Sequence, residues 1–274
     1  MAVRQAQISA VPRDDSFDLT PLETKLDLLS RQIEDQLLLQ RVALLEAGHI
    51  LRFNGPRATR VALSLPDAQE DYLQRVILKT RSFYEARQLA QLETFGLIGP
   101  RSIVCDIGAN IGNHTAYFTR VMGAAKVLAF EPMPHAYATL CDTIVLNQIE
   151  DRVLAYNCLL GAETGFGEMA RFNPRNLGAT TYRAKKDGTV ALFALDDVLE
   201  ADDLADLDLI KIDVEGMQME VLMGAEGILR QRQPALWVEC LPREQLLDAV
   251  SVYLEGFGYH AQALGPNDRL FLPK

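Results

Sequence analysis

Long apolar runs are missing from this chain, although 49% of its 274 residues are hydrophobic. The longest runs stay below the ~18 residues that a membrane-spanning helix requires, so the sequence predicts no span. The first fifteen residues mix charged residues with small and polar ones, and they lack the apolar core of a secretory signal. We therefore expect a cytoplasmic protein with enough apolar side chains for a sizeable core.

Cysteine is also scarce, and the few cysteines are scattered. The sequence holds four, none of them in a Cys-x-x-Cys pair: Cys105, Cys141, Cys158 and Cys240. Zinc sites and small disulfide-bonded domains show closer, paired spacings. We expect these residues to be small buried hydrophobes in a reducing compartment.

Basic charge is outweighed by acidic charge. The 27 Lys and Arg residues face 37 Asp and Glu residues, which gives a net charge of −10. Proteins that bind nucleic acids usually present a basic surface, because neutralising phosphates supplies much of their affinity. The charge balance therefore argues against a nucleic-acid partner, although a locally basic groove would be compatible with it.

The first structured feature of the sequence is an amphipathic helix near the N-terminus. Between Pro21 and Ala47 apolar residues recur at helical spacing. This helix either packs on the protein's own body or forms the seam of a homodimer, although two glutamines interrupt a strict heptad. With a short strand over residues 60–65, it makes residues 1–68 a predicted N-terminal extension. Residues 69–274 form the predicted main domain, which begins with a helical region over 69–95.

Beyond residue 100, short apolar runs alternate with helical stretches. Seven runs are predicted strands: 102–107, 126–130, 153–156, 207–212, 235–238, 259–264 and 269–272. Four stretches between them have helical spacing: 113–121, 136–146, 219–231 and 245–255. This alternation predicts a mainly parallel sheet with helices on both faces, and a turn between the last two runs makes the final strand antiparallel. The predicted fold class is α/β, with a Rossmann-like seven-stranded sheet.

A glycine loop joins the first strand of this domain to its first helix. Because ligands of open α/β sheets bind beyond the carboxyl ends of strands, the loop predicts a site for a nucleotide-like cofactor. The loop residues assigned to the cofactor are Asp106, Gly108, Ala109, Asn110 and Gly112. A dinucleotide loop needs glycine where Asn110 stands, and the acid Asp106 would repel a pyrophosphate. S-adenosylmethionine carries an ammonium and a sulfonium and no phosphate, so the loop favours this methyl donor over NAD.

The second strand ends in a further acid. Glu131 follows Gly108 by 23 residues, a spacing that places a carboxylate against the ribose hydroxyls of a nucleotide. Pro132 follows it directly. Asn157, at the end of the third strand, is predicted to lie near the adenine.

Several ordered motifs between about residues 70 and 240 resemble the FkbM family of methyltransferases. They are Phe83-Tyr84-Glu85, the loop from Asp106 to His114, Phe130-Glu131-Pro132, Leu195-Asp196-Asp197 and Ile210-Lys-Ile-Asp213-Val-Glu215-Gly216. The last of these, preceded by Leu-Asp-Asp, is the most specific. The resemblance implies a class I methyltransferase fold and methylation of a hydroxyl on a sugar, polyketide or other secondary metabolite. It also implies that Tyr84 and Glu85 cover the cofactor.

The candidate catalytic residues lie at the same rim of the sheet. Methyl transfer is an in-line displacement at the sulfonium, so the acceptor hydroxyl must be aligned and must lose a proton. Asp213, Glu215 and His114 are the candidate bases, although a rim carboxylate can instead hold the methionine ammonium. Glu239 ends the 235–238 strand at this rim. A divalent metal bridging the acids stays an alternative, and no metal ligand is assigned.

The methyl acceptor is predicted to be a small molecule or glycan. The pocket for it would come from the N-terminal segment and from an insertion over residues 161–189, in which basic residues favour an anionic acceptor. These residues are Arg171, Arg175, Arg183, Lys185 and Lys186. A protein-directed methyltransferase and a non-catalytic binding protein with the same fold stay open. A methyltransferase that acts on an exocyclic amine of a nucleic acid is disfavoured, because such enzymes usually carry a Pro-Pro motif where this chain has Asp213-Val-Glu-Gly.

Overall fold

The computed structural model describes residues 49–240 and 246–274. The helix expected over 21–47, with its proposed dimer seam, lies outside these residues. In chain order the strands β1 to β13 are Ile50–Asn54, Arg60–Ser64, Ile103–Ile107, Lys126–Phe130, Val153–Tyr156, Leu159–Leu160, Gly165–Arg171, Thr181–Ala184, Val190–Phe193, Leu207–Ile212, Ala235–Glu239, Tyr259–Ala263 and Asp268–Pro273.

The helices α1 to α9 are Tyr72–Thr80, Ala86–Thr94, Asn113–Ala116, Pro134–Asn147, Leu195–Val198, Ala201–Ala205, Gln218–Met223, Glu226–Gln231 and Leu246–Glu255. A π-helical turn, Tyr117–Val121, continues α3, and short 3-10 turns occur at Pro56–Ala58 and Leu177–Ala179. None of the helices within the described ranges is long and apolar enough to cross a bilayer.

The central sheet has seven strands in the order β12-β13-β11-β10-β3-β4-β5. The neighbours from β11 to β5 are parallel, whereas β13 is antiparallel to both β11 and β12. The sheet is therefore the predicted α/β sheet with an antiparallel last strand. The strand order reverses between β3 and β10, which are parallel neighbours. The carboxyl ends of β3, β4, β10 and β11 therefore lie around this switch point, where such sheets bind ligands.

Residues of the inner strands are buried on both faces. In β3, Ile103, Cys105 and Ile107 face one core and Val104 faces the other, as the period of two in a strand requires. The hairpin of β1 and β2 packs into the same core as Val104, where Asn147 accepts a hydrogen bond from the Ala62 backbone N–H at 3.0 Å and donates one to its carbonyl at 2.6 Å.

Two predicted helices are interrupted. The region predicted over 69–95 divides into α1 and α2, because Arg81 and Glu85 adopt left-handed backbone conformations. The stretch predicted over 219–231 divides into α7 and α8 at Gly224. A Cβ at Gly224 would lie 2.0 Å from the Gly161 carbonyl oxygen, so the helix ends where the insertion passes. Left-handed residues thus mark the first interruption, and a close tertiary approach marks the second.

The insertion after β5 forms a second, four-stranded sheet that the sequence pattern did not predict. Its order is β6-β9-β7-β8, and only β6 and β9 are parallel. Much of β7 and β8 is exposed, so alternation of apolar residues is weak there. The four cysteines form no disulfide, and Cys105, Cys158 and Cys240 are buried as expected, whereas Cys141 is only partly buried.

Candidate functional site

A cavity opens at the carboxyl ends of β3, β4, β10 and β11. It contains about 1100 Å³ of empty space, including its open mouth. Ten of the thirteen predicted site residues line it: Tyr84, Glu85, Gly108, Ala109, Asn110, His114, Glu131, Pro132, Asp213 and Glu215. The topology therefore brings motifs from four separate parts of the chain to one place.

The glycine loop lies close beneath the end of β10. Gly108 has a φ of +79°, and a Cβ there would lie 1.9 Å from the Asp213 carbonyl oxygen. The backbone N–H groups of Gly108 and Ala109 both donate to the Phe130 carbonyl at 3.0 Å. Gly112 has a φ of +84°, and a Cβ there would lie 2.9 Å from Leu140 on α4. Gly112 is thus a packing residue between two helices, and it does not line the cavity.

The carboxylate of Glu131 lies at the cavity wall, only 7% exposed. One of its oxygens accepts a hydrogen bond from the Asn110 backbone N–H at 2.9 Å, and the other accepts one from Met133 N–H at 2.8 Å. Burial raises the pKa of Glu131 to about 7, against the lowering effect of these hydrogen bonds. A carboxylate offers about four acceptor positions, so two remain for hydroxyl groups of a ligand.

Asp106 occupies a different place from the one predicted. Its side chain is fully buried and does not line the cavity. Thr115 donates a hydrogen bond to it at 2.6 Å, and the Lys211 ammonium lies 3.5 Å from its other oxygen. Asp106 and Lys211 are register partners on β3 and β10. Asp106 therefore faces the Lys211 ammonium inside the sheet and not the cavity.

Lys211 links Asp106 to the cavity wall. Its ammonium, 1% exposed, lies 3.1 Å from the Asp213 carboxylate. Burial lowers the pKa of Lys211, but Asp213 and Asp106 more than reverse this, so its pKa is raised. Sequence reasoning assigned Lys211 no role, although it stands inside the Ile-Lys-Ile-Asp-Val-Glu-Gly motif. The signal that would identify it is a lysine in an otherwise apolar inner strand.

Asp213 and Glu239 share a hydrogen bond between their carboxyl groups. Burial raises the pKa of Asp213, but Lys211 and the bond from Glu239 outweigh this and hold that pKa below its usual value. Burial and the Asp213 charge raise the pKa of Glu239 to about 10. At neutral pH Asp213 is therefore ionised, and Glu239 carries the proton and donates it. Two carboxyl groups with opposite shifts have different roles.

A second pair of side chains, His114 and Glu85, lies at the same wall. His114 Nε2 is 3.1 Å from Glu85 Oε2, at an angle too poor for a hydrogen bond. The edge-to-face contact of Trp237, with ring centroids 5.2 Å apart, fixes the His114 ring. Asn113 accepts a hydrogen bond from Tyr84 N–H at 2.9 Å and donates to its carbonyl at 3.2 Å. The segment before α2 is thereby attached to the glycine loop.

Three predicted site residues do not line the cavity: Asp106, Gly112 and Asn157. The Asn157 amide donates to the carbonyls of Glu131 at 2.8 Å and Pro132 at 3.1 Å, so it braces the loop after β4 from outside. None of the five basic insertion residues lines the cavity either. Arg183 and Lys185 instead pair with Glu168 on the exposed sheet.

The insertion contributes cavity residues that sequence reasoning missed: Asn176, Leu177, Gly178, Thr180 and Tyr182. Glu239 also lines the cavity, at the rim where it was expected. Within the described ranges, no three His, Cys, Asp or Glu side chains are arranged to hold a metal ion.

Comparison with known proteins agrees with this architecture. Residues 106–261, more than half of the chain, match the methyltransferase FkbM domain. Methyltransferase sdnD of Sordaria araneosa is 31% identical, with 45% of this chain and 60% of that protein covered. Hexuronic acid methyltransferase AglP of Haloferax volcanii is 26% identical, with 47% and 52% covered. The chain thus spans little more than half the length of these curated relatives.

Among solved structures, the methyltransferase FkbM from Methylobacillus flagellatus superposes with a TM-score of 0.51. The sequence identity is 17%, and the match covers 90% of this chain and 60% of that one. At this identity the likeness concerns the fold alone. The family match over more than half of the chain goes further: this chain belongs to the FkbM methyltransferase family.

Proposed function

We propose that the protein transfers the methyl group of S-adenosylmethionine to a hydroxyl group on a small molecule, a sugar or another secondary metabolite. The observation that carries this proposal is the Glu131 carboxylate, presented at the cavity wall with acceptor positions to spare. Such a group binds the ribose hydroxyls of a nucleoside, and the glycine loop beside it gives close access to the backbone. Family membership supports the same donor.

The charges at the cavity fit a cationic donor. Five acids line the cavity within the described ranges: Glu239, which is protonated at neutral pH, and Glu85, Glu131, Asp213 and Glu215. An acidic wall attracts an ammonium and a sulfonium, whereas it repels a pyrophosphate. Asp106 adds nothing to this acidic wall, because its carboxylate faces the Lys211 ammonium inside the sheet. The fit to S-adenosylmethionine therefore rests on the lining acids.

The proton of the acceptor hydroxyl must pass to a base at this wall. Within the proposal, Asp213 is ionised and attracts the cationic donor. Its lowered pKa makes it a weak base, so it is not the proton acceptor. Protonated Glu239 is unable to accept a proton. His114, beside Glu85 and held by Trp237, is the candidate base, and Glu215 is the alternative. The name of the hexuronic acid methyltransferase AglP places a sugar acceptor among those worth testing first.

Titration calorimetry with S-adenosylhomocysteine tests the donor site. We expect micromolar binding that weakens at least tenfold in Glu131→Gln and stays unchanged in Glu150→Gln, an exposed acid outside the cavity. Absence of binding to the wild-type protein would contradict the proposal, and binding of NADH instead would favour an oxidoreductase.

Formation of S-adenosylhomocysteine with a panel of neutral sugars, uronic acids and proteins tests the acceptor. In His114→Gln we expect turnover to be lost while affinity for S-adenosylhomocysteine stays within threefold of wild type. Equal losses of turnover and affinity would make His114 a binding residue. Turnover only with proteins would favour the protein-directed alternative, and binding without turnover on any acceptor would favour the non-catalytic one.

A further inference from the structure

Residues 173–182 of the insertion, here called the cover segment, lie over one end of the cavity. Leu177 packs against Met133 and Ala136, at the start of the helix that follows Glu131. A Cβ at Gly178 would lie 2.9 Å from the side-chain amide nitrogen of Asn110. The cover segment therefore closes the end of the cavity formed by the glycine loop and Glu131, where the nucleoside of the donor is proposed to bind.

Asp71 fixes the cover segment to the main body. This residue is 1% exposed. One carboxylate oxygen accepts a hydrogen bond from the Gln74 N–H at 2.9 Å and caps α1, and the other accepts one from the Leu177 N–H at 2.8 Å. The Tyr72 N–H also donates to the Arg175 carbonyl at 2.9 Å. The cover segment is thus attached to the start of α1 through residues 175 and 177, so it is a preformed wall of the cavity.

Tyr182, at the end of this segment, lines the cavity, and its hydroxyl group lacks a hydrogen-bond partner among the described residues. The hydroxyl oxygen is inaccessible to solvent and makes no hydrogen bond to any described residue. Burial, and secondarily the negative charge of Glu131, raises the pKa of Tyr182 to about 12, so the group is a neutral donor. An unpaired buried hydroxyl is unfavourable unless a ligand satisfies it.

We infer that Tyr182 is a donor-binding residue whose hydroxyl hydrogen-bonds the adenosine half of the bound methyl donor, beside Glu131. This inference rests on the proposed function and extends it. The insertion, which the sequence associated with the acceptor, thereby takes part in binding the donor. The carboxylate of Glu131 accepts hydrogen bonds only, whereas the Tyr182 hydroxyl both donates and accepts, so the two groups are complementary partners for a ribose diol.

Calorimetry with two ligands tests the inference. S-adenosylhomocysteine contains the whole nucleoside and the amino acid, and 5′-methylthioadenosine keeps the nucleoside but lacks the amino acid. In Tyr182→Phe, which removes only the hydroxyl, we expect both ligands to bind about five- to tenfold more weakly, the usual effect of one neutral hydrogen bond. Tyr253→Phe is the matched control, because its hydroxyl bonds Glu226 at 2.8 Å outside the cavity.

Unchanged affinity of Tyr182→Phe for both ligands would overturn the inference and leave the proposed function standing. Weaker binding of S-adenosylhomocysteine alone would overturn the adenosine assignment, because the hydroxyl would then serve the amino-acid half. Failure of wild type to bind either ligand would overturn the proposed function itself. Hydrogen exchange of the wild-type protein gives a second readout: 5′-methylthioadenosine should slow exchange in residues 173–182, and unaltered exchange there would also count against the inference.

Discussion

Gly108 and the backbone of Asp213 lie so close that a side chain at Gly108 has no room. A Cβ would approach the Asp213 carbonyl oxygen to 1.9 Å and the carbonyl carbon to 2.9 Å. Both neighbouring atoms belong to the backbone, so a small side-chain rotation is unable to relieve the overlap. The contact joins the loop after β3 to the end of β10, and both residues line the cavity.

Gly108→Ala should therefore disrupt both the fold and the donor site. The left-handed backbone and the overlap together should cost about 2–6 kcal/mol of unfolding free energy. Affinity for S-adenosylhomocysteine should fall at least tenfold, because Asp213 must move. Urea unfolding and calorimetry measure the two effects. Gly96→Ala is the control: Gly96 has a φ of +63° but no atom within 4 Å of the added Cβ, so about 1–2 kcal/mol and unchanged affinity are expected.

Replacement of Lys211 by Met should destabilise the protein by about 3–5 kcal/mol, because it leaves the buried carboxylates Asp106 and Asp213 without their cation. Lys126→Met removes a partly exposed pair with Asp203, at 2.7 Å, and should cost at most about 1 kcal/mol. Urea unfolding at pH 7.5 measures the loss of unfolding free energy in both variants. Similar losses in the two variants would show that the Lys211 ammonium does not compensate these acids.

Binding of S-adenosylhomocysteine should weaken as the pH falls through 7. The pKa of Glu131 is raised to about 7, and the ionised form is the better acceptor for ribose hydroxyls. Each pH unit below that value can reduce the affinity by up to about tenfold. Calorimetry between pH 8 and 5.5 should show this slope for wild type and for Glu150→Gln. Glu131→Gln should bind weakly at every pH, and a slope that persists in it would assign the effect to another group.

Thermal stability should fall in alkaline solution because Glu239 loses its proton. A carboxyl whose folded pKa is raised, here to about 10, stabilises the fold fully below its ordinary pKa and loses that contribution as the pH rises through the folded value. Glu239→Gln keeps a donor toward Asp213 but does not ionise. The Tm of wild type should therefore decrease more steeply between pH 7 and 10 than that of Glu239→Gln.

Each kcal/mol of difference in unfolding free energy between wild type and Glu239→Gln corresponds to about 2–4 °C in Tm for a protein of this size. Other groups that titrate above pH 8 are common to both proteins, so they cancel in the comparison. Parallel Tm curves would mean that Glu239 is already ionised at pH 7.

Much of the fold follows from the local pattern of residues. Short apolar runs, separated by helical stretches, predicted the seven strands of the central sheet, and the turn before β13 predicted its antiparallel direction. The carboxyl-end rule then placed Gly108, Glu131 and Asp213 at one site without any contact being known. These features are readable because each depends on residues near one another in the chain.

Tertiary contacts decided the rest. Asp106 looked like a ligand because it ends a strand beside the glycine loop, but its register partner Lys211 stands more than a hundred positions away and turns it into an internal ion pair. The proton held between Asp213 and Glu239 likewise depends on two strands lying side by side.

The cover segment is the clearest case. The exposed strands of the insertion carry little apolar alternation, so nothing local marks the insertion as part of a cavity, and Tyr182 joins Glu131 in the cavity lining only through a second sheet. The local pattern of residues was enough to predict the sheet, the glycine loop and the acids at its rim. Which of these groups face the cavity depends on the tertiary structure, because the pairing and burial of charged groups are set by residues that are distant in the sequence.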